Sequence, residues 1–397
     1  MRDNIARMST LNSIGKRLQS AVLGAKKRSD ARAKSLAKAE KYNVVGAGSA
    51  ITAAYEQLRN AAENTDEHLL LQNAIRRFFK QTFIVRDDAL VQRAGAELIV
   101  ELTFAGYIPN DSVTRAQIKE ISQLAVTYYE AYGRLQRRRS LRADIAAGWV
   151  LETLSVLAAH IIAPSEQDVA FMDFAYEYFE QSIPREAVSK KTQSDYGAAL
   201  YVAIHRALLK SDVAKIRAGL LTRYGVSAAN IDQFIAYNKK IDALLKDGIS
   251  DELYHIVNRQ GAPLRVIRKM IETHEELPKE LSKRESFLEA FEQQVAEEYS
   301  NIMARINKAI IRSVIFLVIT KFLIGIAIEV PYDLWAHGEI LWLPLIINLF
   351  FPPVYMVLLR FTLSVPGYAN TTALVKRADT MLYGSNAMLI GAGGGCR

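Results

Sequence analysis

The stretch ARINKAIIRSVIFLVITKFLIGIAIEV, Ala304–Val330, is followed after PYDLWAHG by EILWLPLIINLFFPPVYMVLLRFTL, Glu339–Leu363. A bilayer core of ~30 Å takes roughly 20 mostly apolar helical residues, and each stretch supplies that many. The pair therefore reads as a transmembrane two-helix hairpin, with spans at residues 309–330 and 339–363. Arg305, Lys308 and Arg312 precede the first span and Arg360, Lys376 and Arg377 follow the second, while the turn holds Asp333, His337 and Glu339. Basic flanks stay inside, so both termini are expected in the cytoplasm, as in a bacterial inner membrane, with Tyr332, Trp335 and Trp342 at the outer interface. Pro344, Pro352 and Pro353 each remove a backbone donor, and a re-entrant hairpin is the alternative that tolerates such breaks.

Within the first span Ser313, Leu317, Lys321, Gly325 and Glu329 follow at four-residue steps. An ionisable group at membrane depth is costly and points to function unless it is neutralised by packing. Asn348 and Glu329 are the expected partners of Lys321, and Gly325 allows the helices a close approach. Lys321, Gly325, Glu329 and Asn348 thus form the candidate polar stripe.

Reading upstream, Phe287, Phe291, Val295, Tyr299, Ile302 and Ile306 recur every three or four residues among glutamates. Residues 279–308 read as an amphipathic stalk helix that runs on into the first span, roughly 75 Å in all at ~1.5 Å per residue. Residues 46–278 show helical periodicity almost throughout, with Pro109, Pro164, Pro184, Pro263 and Pro278 near the breaks, and no cleanly alternating stretch. The fold class is therefore all-α: a multi-helix domain ahead of the hairpin. Expected helices include Asp87–Tyr107, Ser112–Arg138, Ser194–Lys210 and Asp251–Glu275, with a further one at Ala50–Ala62.

Residues 1–45 are basic, and Ile5, Met8, Leu11, Ile14, Leu18 and Val22 share one helical face. Such a segment suits an anionic membrane surface, a solvated and disordered tail, or an Arg-rich transit peptide. Lys16, Arg17, Lys26, Lys27 and Arg28, with Arg137, Arg138 and Arg139 of GRLQRRRSLR, are the candidate contacts for anionic lipid or an acidic partner. The formal net charge of +8 agrees with an anionic neighbour. The arginine run lacks interleaved aromatics and a recognition motif, which argues against nucleic acid. Residues 364–397 are expected to form a cytoplasmic tail with a helix over Asn370–Tyr383 and a glycine-rich end.

Chemical signatures are sparse. The single cysteine, Cys396, excludes an intrachain disulfide and does not sit where a prenylation box needs it. The six histidines include no pair at metal-binding helical spacing, and HEEL at His274 is followed by Pro278. Glu97 and Glu101 share a face but lack the partner motifs of a di-iron bundle, so they are expected to face solvent or an arginine. Gly46 and Gly48 lack the third glycine and entering strand of a dinucleotide fingerprint. The aromatic run Phe171–Gln181 is expected to fill a core. No cofactor or metal is expected. Three functions remain: a membrane-anchored binding or scaffold protein for a protein partner, a subunit of an oligomeric channel or transporter, and an enzyme of unfamiliar type.

Overall fold

A computed structural model describes residues 10–44, 67–138, 141–246, 248–362 and 368–384. Every regular element among them is helical; the only β contact is an isolated antiparallel bridge between Lys41 and Thr114. The expected helix at Ala50–Ala62 and the glycine-rich end lie outside the described residues. The chain divides into two compact units, Met1–Pro278 with Met381–Arg397, and Lys279–Thr380.

The first unit contains α1 (Ser13–Lys38), α2 (Glu67–Val85), α3 (Asp88–Gln92), α4 (Ala94–Phe104), α5 (Arg115–Gln136), α6 (Ala143–Ile162) and α7 (Glu166–Ser182). It continues with α8 (Lys190–Ser194), α9 (Tyr196–Ile204), a π-turn at His205–Leu209, α10 (Val213–Arg223), α11 (Ile231–Lys246), α12 (Asp251–Gln260), α13 (Ala262–Thr273) and the short α14 (Leu277–Leu281), which reaches the boundary. The strongly apolar α6 packs against α2, α5 and α10, burying Ala146, Trp149, Val150, Leu151, Leu154 and Ala158. In α9 every residue except Gly197 is buried. Phe171, Phe174 and Tyr178 of the aromatic run are core residues of α7.

From Ser13 the N-terminal segment forms the expected one-faced helix, and in the described residues that face meets protein. Asn12 caps α1 by accepting from Gly15 N, and Leu11, Ile14, Leu18 and Val22 are buried, with α1 packed on α7. The apolar face that suited a bilayer is thus occupied by protein, because α7 presents an apolar stripe of its own. Asn12 also donates to the carbonyls of Met381 and Gly384 at 3.0 Å each, tying α1 to the end of the described chain.

Three expected helices are broken or differently capped. The Asp87–Tyr107 segment breaks at Arg93, because Gly95 N donates to Ser122 Oγ at 3.0 Å and a side chain at Gly95 would collide with Ile118 O. The Asp251–Glu275 segment breaks at Gly261, where a Cβ would run into Leu208, and Pro263 then suits the first turn of α13. Helix α5 starts at a capping box of Thr114 and Gln117 rather than at Ser112, since Thr114 Oγ1 and Gln117 Oε1 each accept from the other's backbone N–H.

The second unit holds α15 (Arg284–Ile324), a π-turn at Gly325–Glu329, α16 (Val330–His337), α17 (Trp342–Thr362) and most of α18 (Tyr368–Tyr383). From Arg284 to His337 the helical path is continuous over 54 residues, roughly 80 Å at ~1.5 Å per residue. The segment Pro331–His337, expected as a loop, is helical. Pro331 falls directly after the π-turn, where its missing N–H and fixed φ are tolerated. Arg284 Nε and Nη2 donate to the two carboxylate oxygens of Asp379 at 2.6 and 2.7 Å, and Asn370 donates to Tyr299 Oη at 2.6 Å.

Two helices are long and apolar enough to cross a membrane, Ala143–Ile162 and Arg284–His337. Burial separates them: 44% of the apolar window is buried in the first and 6% in the second. Helix α6 is apolar because it is a core; the Arg284–His337 helix carries its apolar surface outward. Within α17, Trp342–Leu358 is apolar but shorter.

Candidate functional site

The hairpin of α15 and α17 gathers the ionisable and amide groups of the polar stripe. Lys321 Nζ donates to Asn348 Oδ1 at 3.1 Å, and Asn348 Nδ2 donates to Glu329 Oε1. One asparagine therefore bridges a cation and an anion two turns apart on the facing helix. In an uninterrupted α-helix, eight residues leave about 80° between Lys321 and Glu329. The wider turn at Gly325–Glu329 advances less per residue and returns Glu329 toward the stripe. Gly325 is buried, and a Cβ there would lie 3.3 Å from Leu345 Cδ1, so the facing helix packs tightly against the glycine.

The turn is compact. Gly338 closes α16 at φ 75°, a conformation that favours glycine, and Leu341 N donates to Asp333 Oδ2 at 3.1 Å. Tyr332, Trp335 and Trp342 stand exposed around it. On the flank of α17, Leu343, Pro344, Ile347, Asn348, Phe351 and Pro352 line an open groove of about 460 Å³.

The basic candidates are dispersed among partners. Arg17 pairs with Glu177, Arg28 with Glu166 at 2.5 Å and Arg138 with Asp232 at 2.7 Å, while Lys26 donates to the Glu275 carbonyl at 3.0 Å. Lys16, Lys27 and Arg137 are exposed, and Arg139 lies outside the described residues. Glu97 faces solvent; Glu101 is half-buried, its pKa raised by burial and drawn back by Arg77. Among the described residues no three His, Cys, Asp or Glu side chains converge as a metal would require.

Two polar clusters were not singled out from the sequence. Arg217 of α10 is 4% exposed and donates to Glu152 Oε2 at 2.9 Å, Asn238 Oδ1 at 2.8 Å and Asp242 Oδ1 at 2.7 Å. Trp149 Nε1 donates to Asp242 Oδ2 at 3.2 Å, and Arg76 and Lys246 approach the two carboxylates from the rim. The available signal was position: Arg217 stands among Ala214, Ala218 and Leu221 on the buried face of α10. With its donors directed at three acceptors, this network fixes helices rather than offering a free reactive group.

The second cluster surrounds the π-turn after α9. His205 Nδ1 lies 2.9 Å from Ser211 Oγ, its ring is 4.4 Å from that of Tyr201, and Nε2 is buried with no hydrogen-bond partner among the described residues. Burial lowers the His205 pKa to about 4, so the ring is neutral at pH 7. Arg268 closes the turn by donating to the Leu208 and Leu209 carbonyls at 3.3 and 3.4 Å and to Asp168 at 3.1 Å.

No protein-family model, no curated protein and no solved structure matches this chain.

Proposed function

We propose that the chain is an integral membrane protein whose hairpin lies in a bilayer and whose helical domain is presented at the surface to hold a protein partner. The observation that carries this reading is the contrast in exposure. Between Ile302 and Leu358 large apolar side chains face outward turn after turn, including Phe316, Phe322, Leu323, Ile328, Leu343, Phe350 and Phe351. Elsewhere among the described residues only Leu23, Ile84, Val85, Phe104, Val169 and Val213 do so. An apolar surface of that extent is expected to be covered by lipid or protein.

Magnitudes favour insertion. Eleven Ile, Leu, Val and Phe residues lie from Val314 to Ile328. At −0.3 to −0.6 kcal/mol each they supply roughly −3 to −7 kcal/mol, against roughly +3 kcal/mol for a central lysine. Pairing through Asn348 reduces the lysine's cost further. The basic flanks favour cytoplasmic termini, and Lys16, Lys27 and Arg137 are the cations left to meet anionic lipid. The test is alkaline carbonate extraction of membranes carrying the full-length chain. Retention in the pellet supports the reading; release into the supernatant overturns it.

The alternative, a subunit of a channel or transporter, draws on the Lys321–Asn348–Glu329 chain. Because these groups satisfy one another within one hairpin, they serve an anchor as well as a pathway. Lys321→Leu leaves partner binding intact in the first case and abolishes ion or solute flux in the second.

A further inference from the structure

Along the flank of α17 that holds the groove, a tyrosine hydroxyl stands near two turns broken by proline. Pro352 and Pro353 lie inside the helix and have no N–H, so the carbonyls of Asn348 and Leu349 lose the donors that an unbroken helix supplies. In hydrocarbon such an acceptor must find another donor. Pro344, Asn348 and Tyr355 recur at steps of four and seven and so share the groove's side of the helix. Tyr355 is 52% exposed and stacks on Phe351 at 6.0 Å and 15°, and among the described residues its hydroxyl has no hydrogen-bond partner. Helical side chains lean toward the N-terminus, which brings that hydroxyl toward the level of the broken carbonyls.

We propose that this flank, Leu343, Pro344, Ile347, Phe351, Pro352 and Tyr355, is where a second copy of the chain docks within the bilayer. A surface holding its own donor, its own acceptors and a groove is self-complementary about a two-fold axis: the Tyr355 hydroxyl of each copy donates to the open carbonyls of the other. A lipid acyl chain fills the groove but offers no donor. The inference rests on the membrane reading above.

The experiment uses the full-length chain in membranes with Cys396→Ser, so that an added cysteine is the only one. Ile347→Cys places it in the groove; Ile346→Cys places it on exposed surface outside the groove, about 100° round the helix. Mild oxidation is expected to yield disulfide-linked dimer from Ile347→Cys at least five-fold above Ile346→Cys. Adding Tyr355→Phe, which removes a single oxygen, is expected to lower that yield several-fold. Equal yields from the two cysteines, monomer from both, cross-linking to another protein, or indifference to Tyr355→Phe overturns the seam. Retention in the carbonate pellet with any of these results leaves the anchor standing, whereas release into the supernatant overturns anchor and seam together.

Discussion

Arg217 shows how much one buried charge can demand. Its guanidinium is held by Glu152, Asn238 and Asp242, and truncation leaves two largely buried carboxylates with only Trp149 and the rim cations Arg76 and Lys246. Breaking such a pair costs about 3–5 kcal/mol. Arg217→Ala is therefore expected to lower the melting temperature of the full-length protein by roughly 10 °C, at a few degrees per kcal/mol, and an unchanged melt removes the network from the stabilising core. His205 gives a pH-dependent counterpart. Its folded pKa of about 4 lies below the ordinary 6.5, so the unfolded chain takes up a proton first as pH falls. The contribution is complete above pH 6.5, declines between 6.5 and 4 by roughly 3 kcal/mol, and is level below. Denaturant titrations at pH 7 and 4.5 should show a smaller difference for His205→Gln than for the natural protein. Neither residue announces itself in sequence, because a polar residue on an apolar helical face is identified by the neighbours it meets from distant parts of the chain. Lys321, Glu329 and Asn348 were nameable because they interrupt otherwise apolar runs.

Helix periodicity, by contrast, is a local property, and most elements could be placed from it: the periodic stretches 142–162, 165–181, 213–224 and 228–246 match α6, α7, α10 and α11 to within a few residues. What periodicity did not contain were the breaks at Arg93 and Gly261, where close neighbours meet Gly95 and Gly261, and the π-turns at His205–Leu209 and Gly325–Glu329. Glycines separate the two kinds of information. Gly95 of α4 approaches α5 so closely that an added Cβ would meet Ile118 O and Ser122, whereas a Cβ at Gly133 of α5 meets nothing within 4 Å. Gly95→Ala must push the two helices apart, at about 1–3 kcal/mol. Gly133→Ala only removes backbone freedom and should stabilise by about 0.5–1 kcal/mol. Thermal melts shifting in opposite directions are the expected result; a destabilised Gly133→Ala would mean that this face of α5 is covered.

For the whole molecule, composition and apolar patterning made the helical class readable, and hydropathy alone made α6 and the Arg284–His337 helix look alike. Only burial distinguishes a helix apolar for the core's sake from one apolar toward its surroundings. The same hydropathy leaves open how the hairpin would lie, since the prolines of α17 suit a re-entrant path and its 21 residues, about 31 Å at ~1.5 Å each, suit a full crossing. The position of the segment between the two spans distinguishes these in a measurable way. With Arg305, Lys308 and Arg312 before the hairpin, Arg360 and Lys376 after it, and no Lys or Arg between Glu329 and Glu339, a crossing places Trp335 outside and Cys396 inside. A membrane-impermeant maleimide added to sealed right-side-out vesicles should label Trp335→Cys in the Cys396→Ser background and leave natural Cys396 unlabelled until the vesicles are opened. Trp335 is 84% exposed, so its reactivity reports location rather than packing. Labelling of both positions only after opening is the result a re-entrant hairpin requires, and labelling of Cys396 alone inverts the topology and with it the face of the membrane on which the helical domain works.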